Sequence, residues 1–182
     1  MKIAKPIFPQ AGRWTRRIRP ALTVALAGIA VLSLAATAVA ETGTFRMILA
    51  GQHDYTTFGF VDQTITGGAI EGTSTIIESS GDPFVVDEHG RVTCMVYAKQ
   101  DEAGLELEAP CFTTNAAGEK LFSLAQRTLG DVGGAGQGGE GRWQLLGGSG
   151  KFADVTGSCS YEIEYLADNW LVAMPECEWE RP

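Results

Sequence analysis

Acid–base, nucleophilic or metal chemistry in this 182-residue chain must be built from few parts: two histidines, His53 and His89, and four cysteines, Cys94, Cys111, Cys159 and Cys177. A Ser-His-acid triad needs one of these imidazoles as its base, and neither stands in a recognisable nucleophile motif. His89, next to Glu88 and Gly90, reads as a solvated turn residue, and His53, beside Asp54, reads the same way. Zinc sites place cysteines two to four residues apart, and no two cysteines here are that close. Asp82, Asp87 and Glu88 cluster about a turn without EF-hand spacing, which supports adventitious weak calcium binding at most. Glu162 and Glu164, roughly 7 Å apart along one strand face, read as wet surface charge. The expectation is no catalytic residue, no metal ligand and no cofactor, a reading that leans away from an enzyme.

Two glycine-rich stretches imitate nucleotide motifs. Gly134-Ala135-Gly136-Gln137-Gly138-Gly139 matches GxGxxG by letter, but no strand enters it and no helix leaves it. Gly148-Ser149-Gly150-Lys151 has the look of a phosphate loop, yet Leu145 stands where glycine is needed and Phe152 where Ser or Thr is needed. Gly147, Gly148, Gly150 and Gly157 instead read as a sharp turn between strands, with Phe152 and Val155 as apolar plugs.

The elements that must position these residues are strands. Period-two alternation runs through the chain, broken by turn residues, and no stretch keeps a 3.6-residue period long enough for a helix. The clearest strand is Ser158 to Tyr165, with Cys159, Tyr161, Ile163 and Tyr165 on one face and Ser158, Ser160, Glu162 and Glu164 on the other. Trp170 to Glu178 returns beside it. Further strands are expected at Thr44 to Ala50, Thr57 to Thr66, Ala69 to Glu78, Val92 to Ala98, Leu105 to Thr113, Lys120 to Gln126 and Gly141 to Leu146, with Gly67-Gly68, Gly81-Asp82-Pro83, Glu88-His89-Gly90 and Asn115 to Gly118 as turns or short loops. Leu129 to Glu140, with six glycines and almost nothing to bury, is expected to be a mobile surface loop. The fold class is all-β: a sandwich or, since closure removes exposed edges, a small antiparallel β-barrel of about eight strands.

Four cysteines allow three connectivities, and the turns choose among them. Folding about Asp101 to Gly104 brings Cys94 opposite Cys111 to within one residue, and Asp168 is equidistant from Cys159 and Cys177. Two cross-hairpin disulfides are expected, Cys94 to Cys111 and Cys159 to Cys177, each worth about 3 kcal/mol on a chain-entropy estimate.

The run from Trp143 to Gly157, WQLLGGSGKFADVTG, resembles the GG(S/T)G-x-[FY]-x-x-[IVA]-x-G element of the allene oxide cyclase and dirigent barrel superfamily, and small exported bacterial proteins carry similar segments. The resemblance is strongest over residues 141–165 and implies an eight-stranded antiparallel barrel with a pocket along its axis. The cysteine pairs and the glycine loop depart from that pattern. None of the plant enzymes' pocket residues is recognised here, so neither cyclisation nor guided radical coupling transfers.

Residues 1–40 read as a removable signal peptide. Lys2, Lys5, Arg13, Arg16, Arg17 and Arg19 make a positive leader, and the uncharged run from Ala21 closes on Ala38-Val39-Ala40, so cleavage is expected before Glu41. An uncleaved anchor fits less well, because the end of the run is made of small residues. Thr15-Arg16-Arg17 hints at twin-arginine export, but Ile18-Arg19-Pro20 lacks the hydrophobic pair of that signal, which favours ordinary secretion. What remains, 41–182, is a single domain bound for the periplasm or the medium, where its cysteines meet an oxidising environment. It keeps 8 Lys and Arg against 22 Asp and Glu, a formal net charge of −14. Such a charge repels nucleic acid and anionic lipid and would steer a basic protein toward it, though it also serves plain solubility.

The favoured functional expectation is a non-enzymatic exported barrel binding a small apolar ligand or a protein partner, with Trp143, Tyr161, Tyr165 and Trp170 as pocket or core aromatics. A cyclase-like isomerase with a dry, shaped pocket and an acidic inhibitor or adaptor of a basic protein are the alternatives.

Overall fold

The computed structural model describes residues 40–182. The expected leader and its cleavage point lie outside or at the boundary of the described residues. The alternation read along the chain is the alternation of a barrel wall. In the strand His89–Asp101, Val92, Cys94, Val96 and Ala98 are buried while Arg91, Met95 and Tyr97 face out. Eight such strands run up and down in chain order: β1 Glu41–Phe60, β2 Gln63–Ser79, β3 His89–Asp101, β4 Gly104–Asn115, β5 Lys120–Arg127, β6 Gly138–Gly148, β7 Thr156–Tyr165 and β8 Trp170–Arg181. Every pair is antiparallel, and β1 closes on β8 from Glu41↔Arg181 to Gln52↔Trp170. Closure pairs both edges of the sheet, and eight strands enclose an interior that side chains can just fill.

The nine expected segments become eight strands because two turns were misplaced. Thr57 to Thr66 is not one strand: the chain reverses within it, at Val61 and Asp62, between the paired residues Phe60 and Gln63. Gly67-Gly68 is not a turn but lies inside β2, where a Cβ at Gly68 would collide with the Asp54 carbonyl. Gly68 serves here to let backbones approach, a role that sequence reads as chain reversal. The two 3₁₀ turns, Gly150–Phe152 and Ala167–Asn169, are the only helical segments among the described residues. In the second, Asp168 and Asn169 take φ of 58° and 61°, the left-handed backbone these residues tolerate.

Both disulfides join directly opposed residues: Cys94 with Cys111 across β3 and β4, Cα atoms 4.1 Å apart, and Cys159 with Cys177 across β7 and β8, 4.0 Å apart. All four sulfurs belong to buried residues on the inward face, so the bridges are part of the core. They are compatible with an oxidising periplasmic or extracellular location.

The two ends of the barrel close differently. At the end where β1 begins and β8 finishes, Phe84 from the β2–β3 loop stacks on Phe45 at 3.8 Å and meets Phe152 and Trp179 at 5.6 and 5.9 Å, a wholly aromatic plug. Glu88 and Lys151 brace it from outside, Nζ reaching both carboxylate oxygens at 2.7 Å. The opposite end is covered by residues 128–137, and polar side chains collect beneath them.

Candidate functional site

Three strands deliver these polar groups by continuing their inward stripe one or two residues past the apolar part. On β1 the stripe Phe45, Met47, Leu49, Gly51 runs on into His53 and Tyr55; on β5, Leu121, Ser123 and Ala125 end in Arg127; on β7, Cys159, Tyr161 and Ile163 end in Tyr165. Arg127 is 2 % exposed, Tyr165 1 % and His53 7 %. The His53 ring stacks on Tyr55 with centroids 4.3 Å apart and meets the edge of Tyr165 at 5.4 Å. Arg127 Nη2 donates to the Asp131 carbonyl at 2.7 Å and to the Tyr165 hydroxyl at 3.3 Å.

These groups are underemployed. Both ring nitrogens of His53, the Tyr55 hydroxyl, and Nε and Nη1 of Arg127 are buried without a hydrogen-bond partner among the described residues. Buried polar atoms are nearly always paired, so a concentration of unpaired ones in one place asks for an explanation. Burial lowers the His53 pKa below its ordinary 6.5, against a smaller upward pull from Asp54, and favours neutral imidazole. Burial likewise holds the Tyr55 phenol protonated, helped by Tyr165, and pushes Tyr161 up to about 12 against the opposing pull of Arg127.

A cavity of about 40 Å³ lies against this cluster, lined by Tyr55, Arg127, Tyr161 and Tyr165 and by apolar side chains. Trp143 separates it from a second cavity of about 30 Å³ nearer the aromatic plug. The interior is therefore largely filled, with room beside Arg127 for a few waters or the end of a small molecule. A groove of about 690 Å³ on the outer wall, over Ser158 and Ser160 between Arg142 and the Glu176–Glu178 side, is larger but open. Its Arg46 already bonds Glu78 and Glu176 at 2.6 and 3.0 Å with all three exposed, a pairing worth little in water.

The glycine segment expected to move freely on the surface is instead folded over the cluster. Gly136 N–H donates to the Tyr165 carbonyl and Tyr165 N–H to the Gln137 carbonyl, at 2.7 and 2.8 Å, Val132 packs on the core, and Gly138 to Glu140 belong to β6. Gly133, at φ 85°, sits so close that a Cβ would lie 3.1 Å from the Tyr55 ring and 3.5 Å from His53 Cε1. Glycine is used here because a backbone must lie flat on two rings.

Of the expected pocket aromatics, Trp143, Tyr161 and Tyr165 are buried inside, and Trp143 meets Tyr161 at 6.1 Å. Trp170 is 46 % exposed, because Leu171, Ala173 and Cys177 take the inward positions of β8. Of the expected turn glycines, Gly147 and Gly148 end β6, Gly150 opens the 3₁₀ turn and Gly157 lies within β7; Gly147 and Gly150 take φ of 81° and 59°, and a Cβ at Gly148 or Gly157 would strike the Lys120 or Glu178 carbonyl. His89 is exposed at the start of β3, its Nδ1 2.9 Å from Thr75 Oγ1. His53 is a correction: it is not a solvated turn residue but a buried one. The expected first strand ends at Ala50, and the expected strand from Lys120 ends at Gln126, one residue short of Arg127. Carrying the alternation to its end would have found both residues.

The arrangement defines a disulfide-stapled, closed antiparallel barrel with a polar cluster under a glycine loop. No family model, no curated protein and no solved structure matches the chain.

Proposed function

We propose that this is an exported, non-enzymatic barrel that binds a small, partly apolar ligand at the loop-covered end of its interior. The observation that carries the reading is the pair of buried groups on Tyr55 and Arg127 that line the cavity of about 40 Å³ without a partner among the described residues, with His53 stacked on Tyr55. Ligand sites pair an apolar lining with a few convergent polar groups, which is the composition found here. The segment 128–137 must shift to admit anything much larger than water. It is held there by its two hydrogen bonds to the Tyr165 backbone, by the Asp131 N–H to the Gly138 carbonyl and by Arg127 on the Asp131 carbonyl. The closed eight-stranded barrel and the Gly147 to Gly157 turn support placing the chain beside the allene oxide cyclase and dirigent barrels. Isomerisation of a whole apolar substrate is the weaker reading, because cavities of about 30 and 40 Å³ leave such a substrate no room. Docking of a basic protein on the acidic outer wall is a separate proposal, supported by the −14 charge and recognised by steep loss of binding with salt.

Titration with hexanol, followed by amide chemical shifts, tests the main reading. Saturable shifts confined to residues around Tyr55, Arg127, Gly133 and Tyr165 are expected. Shifts scattered over the surface, without saturation, would contradict it.

A further inference from the structure

We propose that the ligand held at this end of the barrel carries a carboxylate, seated on Arg127. The inference rests on the binding reading above and adds the ligand's chemical class. A guanidinium offers five N–H donors and is charged at any pH the protein meets. Arg127 is 2 % exposed, and among the described residues it forms no ion pair. Its Nη2 is committed to the Asp131 carbonyl and the Tyr165 hydroxyl, whereas Nε and Nη1 have no hydrogen-bond partner among the described residues.

A buried cation without a counter-ion is among the most unfavourable arrangements a core can hold, and pairing it with an anion is what relieves it. The chain had carboxylates to spare, with 22 Asp and Glu, yet supplies none here. Asp131, the acidic residue closest to Arg127 in sequence, turns its backbone carbonyl inward and remains exposed. The cation is thus an isolated reversal of sign inside a strongly acidic protein. The Tyr55 hydroxyl, protonated and unpartnered, is a second donor on the same cavity, and an ionised carboxylate accepts from both. The apolar side of the cavity, Leu107, Ala109, Leu171 and Ala173, suits a short hydrocarbon tail.

Hexanoate and hexanol, which share a tail and differ in charge, separate this inference from the reading beneath it. At neutral pH, calorimetry on the wild-type protein is expected to show hexanoate binding at least tenfold more tightly than hexanol, a difference that needs no variant. In Arg127→Met the preference is expected to vanish, hexanoate binding no more tightly than hexanol. Equal binding of both compounds to wild type would overturn the carboxylate inference and leave the cavity reading standing. Binding of neither would overturn both. A preference for hexanoate that survives Arg127→Met would place the acid elsewhere and overturn the inference. Because the variant's folding could change, its melting curve and its two disulfides are checked first, and the wild-type comparison decides alone if the variant does not fold.

Discussion

Arg127 and Tyr165 meet at the covered end of the barrel, Nη2 to hydroxyl at 3.3 Å, although 38 residues separate them in the chain. The contact exists because two strands, β5 and β7, each end their inward stripe with a polar residue at the same end of the shell. The other end is sealed by packed aromatic rings, which makes the molecule polar at one mouth and greasy at the other. The consequences of that asymmetry can be measured.

Replacing Arg127 should separate stability from binding. Arg127→Met removes two hydrogen bonds but also an unpaired buried charge, so the unfolding free energy in denaturant is expected to stay within about 1 kcal/mol of wild type. An ordinary core truncation such as Leu171→Ala, at a residue with no exposure, should cost about 2–5 kcal/mol.

Acid should destabilise the barrel through His53. Its folded pKa lies below 6.5, so as pH falls through 6.5 the unfolded chain takes up a proton that the folded chain resists, and stability falls. The groups facing it are Asp54, Tyr55 and Tyr165, with Arg127 behind Tyr165. Denaturant melts of wild type and His53→Gln between about pH 8 and about pH 5.5 should show a smaller acid loss in the variant. Glu119 acts in a lower window. Asn115 and the Lys151 N–H hold its carboxyl below the ordinary 4.5, so its contribution is lost only below that pH and should be common to both proteins.

The glycine cover can be tested where it touches the rings. Gly133→Val must accept φ 85° and a side chain against Tyr55 and His53, which should cost about 1–3 kcal/mol and weaken hexanol binding. Gly136, also at positive φ but with open space around it, should lose stability when changed to alanine without affecting the ring contact. Melting curves and calorimetry on both variants distinguish strain from obstruction.

Trp143 divides the interior, and removing it should join the two cavities. Trp143→Ala is expected to cost about 3–5 kcal/mol and to tighten hexanol binding, since the enlarged space is lined mainly by apolar groups. Thermal melts with and without hexanol read both effects.

Each disulfide should be worth about 2–4 kcal/mol, with the paired replacement of Cys94 and Cys111 by serine costing about as much as that of Cys159 and Cys177, since the loops span 17 and 18 residues. Denaturant melts of the two double variants check this.

Much of the barrel was legible in the chain because alternation reports a one-sided wall directly, and turn residues at Asp101 to Gly104 and Ala167 to Asn169 set the hairpins that align the cysteines. What misled was glycine. Gly67-Gly68 and the 129–140 stretch read as reversal and freedom, but in the folded chain most of these residues let one backbone lie against another or against a ring, a demand that only tertiary contact reveals. The polar cluster was missed for a different reason. His53 and Arg127 obey the period of their strands while breaking its hydrophobic character, and a reading that ends each strand at its last apolar residue cuts them off. Their burial depends on a cover supplied from elsewhere in the chain.

The most direct measurement is a crystal structure of the protein with hexanoate. A carboxylate oxygen within hydrogen-bonding distance, about 3 Å, of Arg127 Nη1 or Nε, with the tail toward Leu107 and Leu171, is the expected result. Saturating hexanoate that leaves only water beside Arg127, with the ligand on the outer wall or absent, would contradict it.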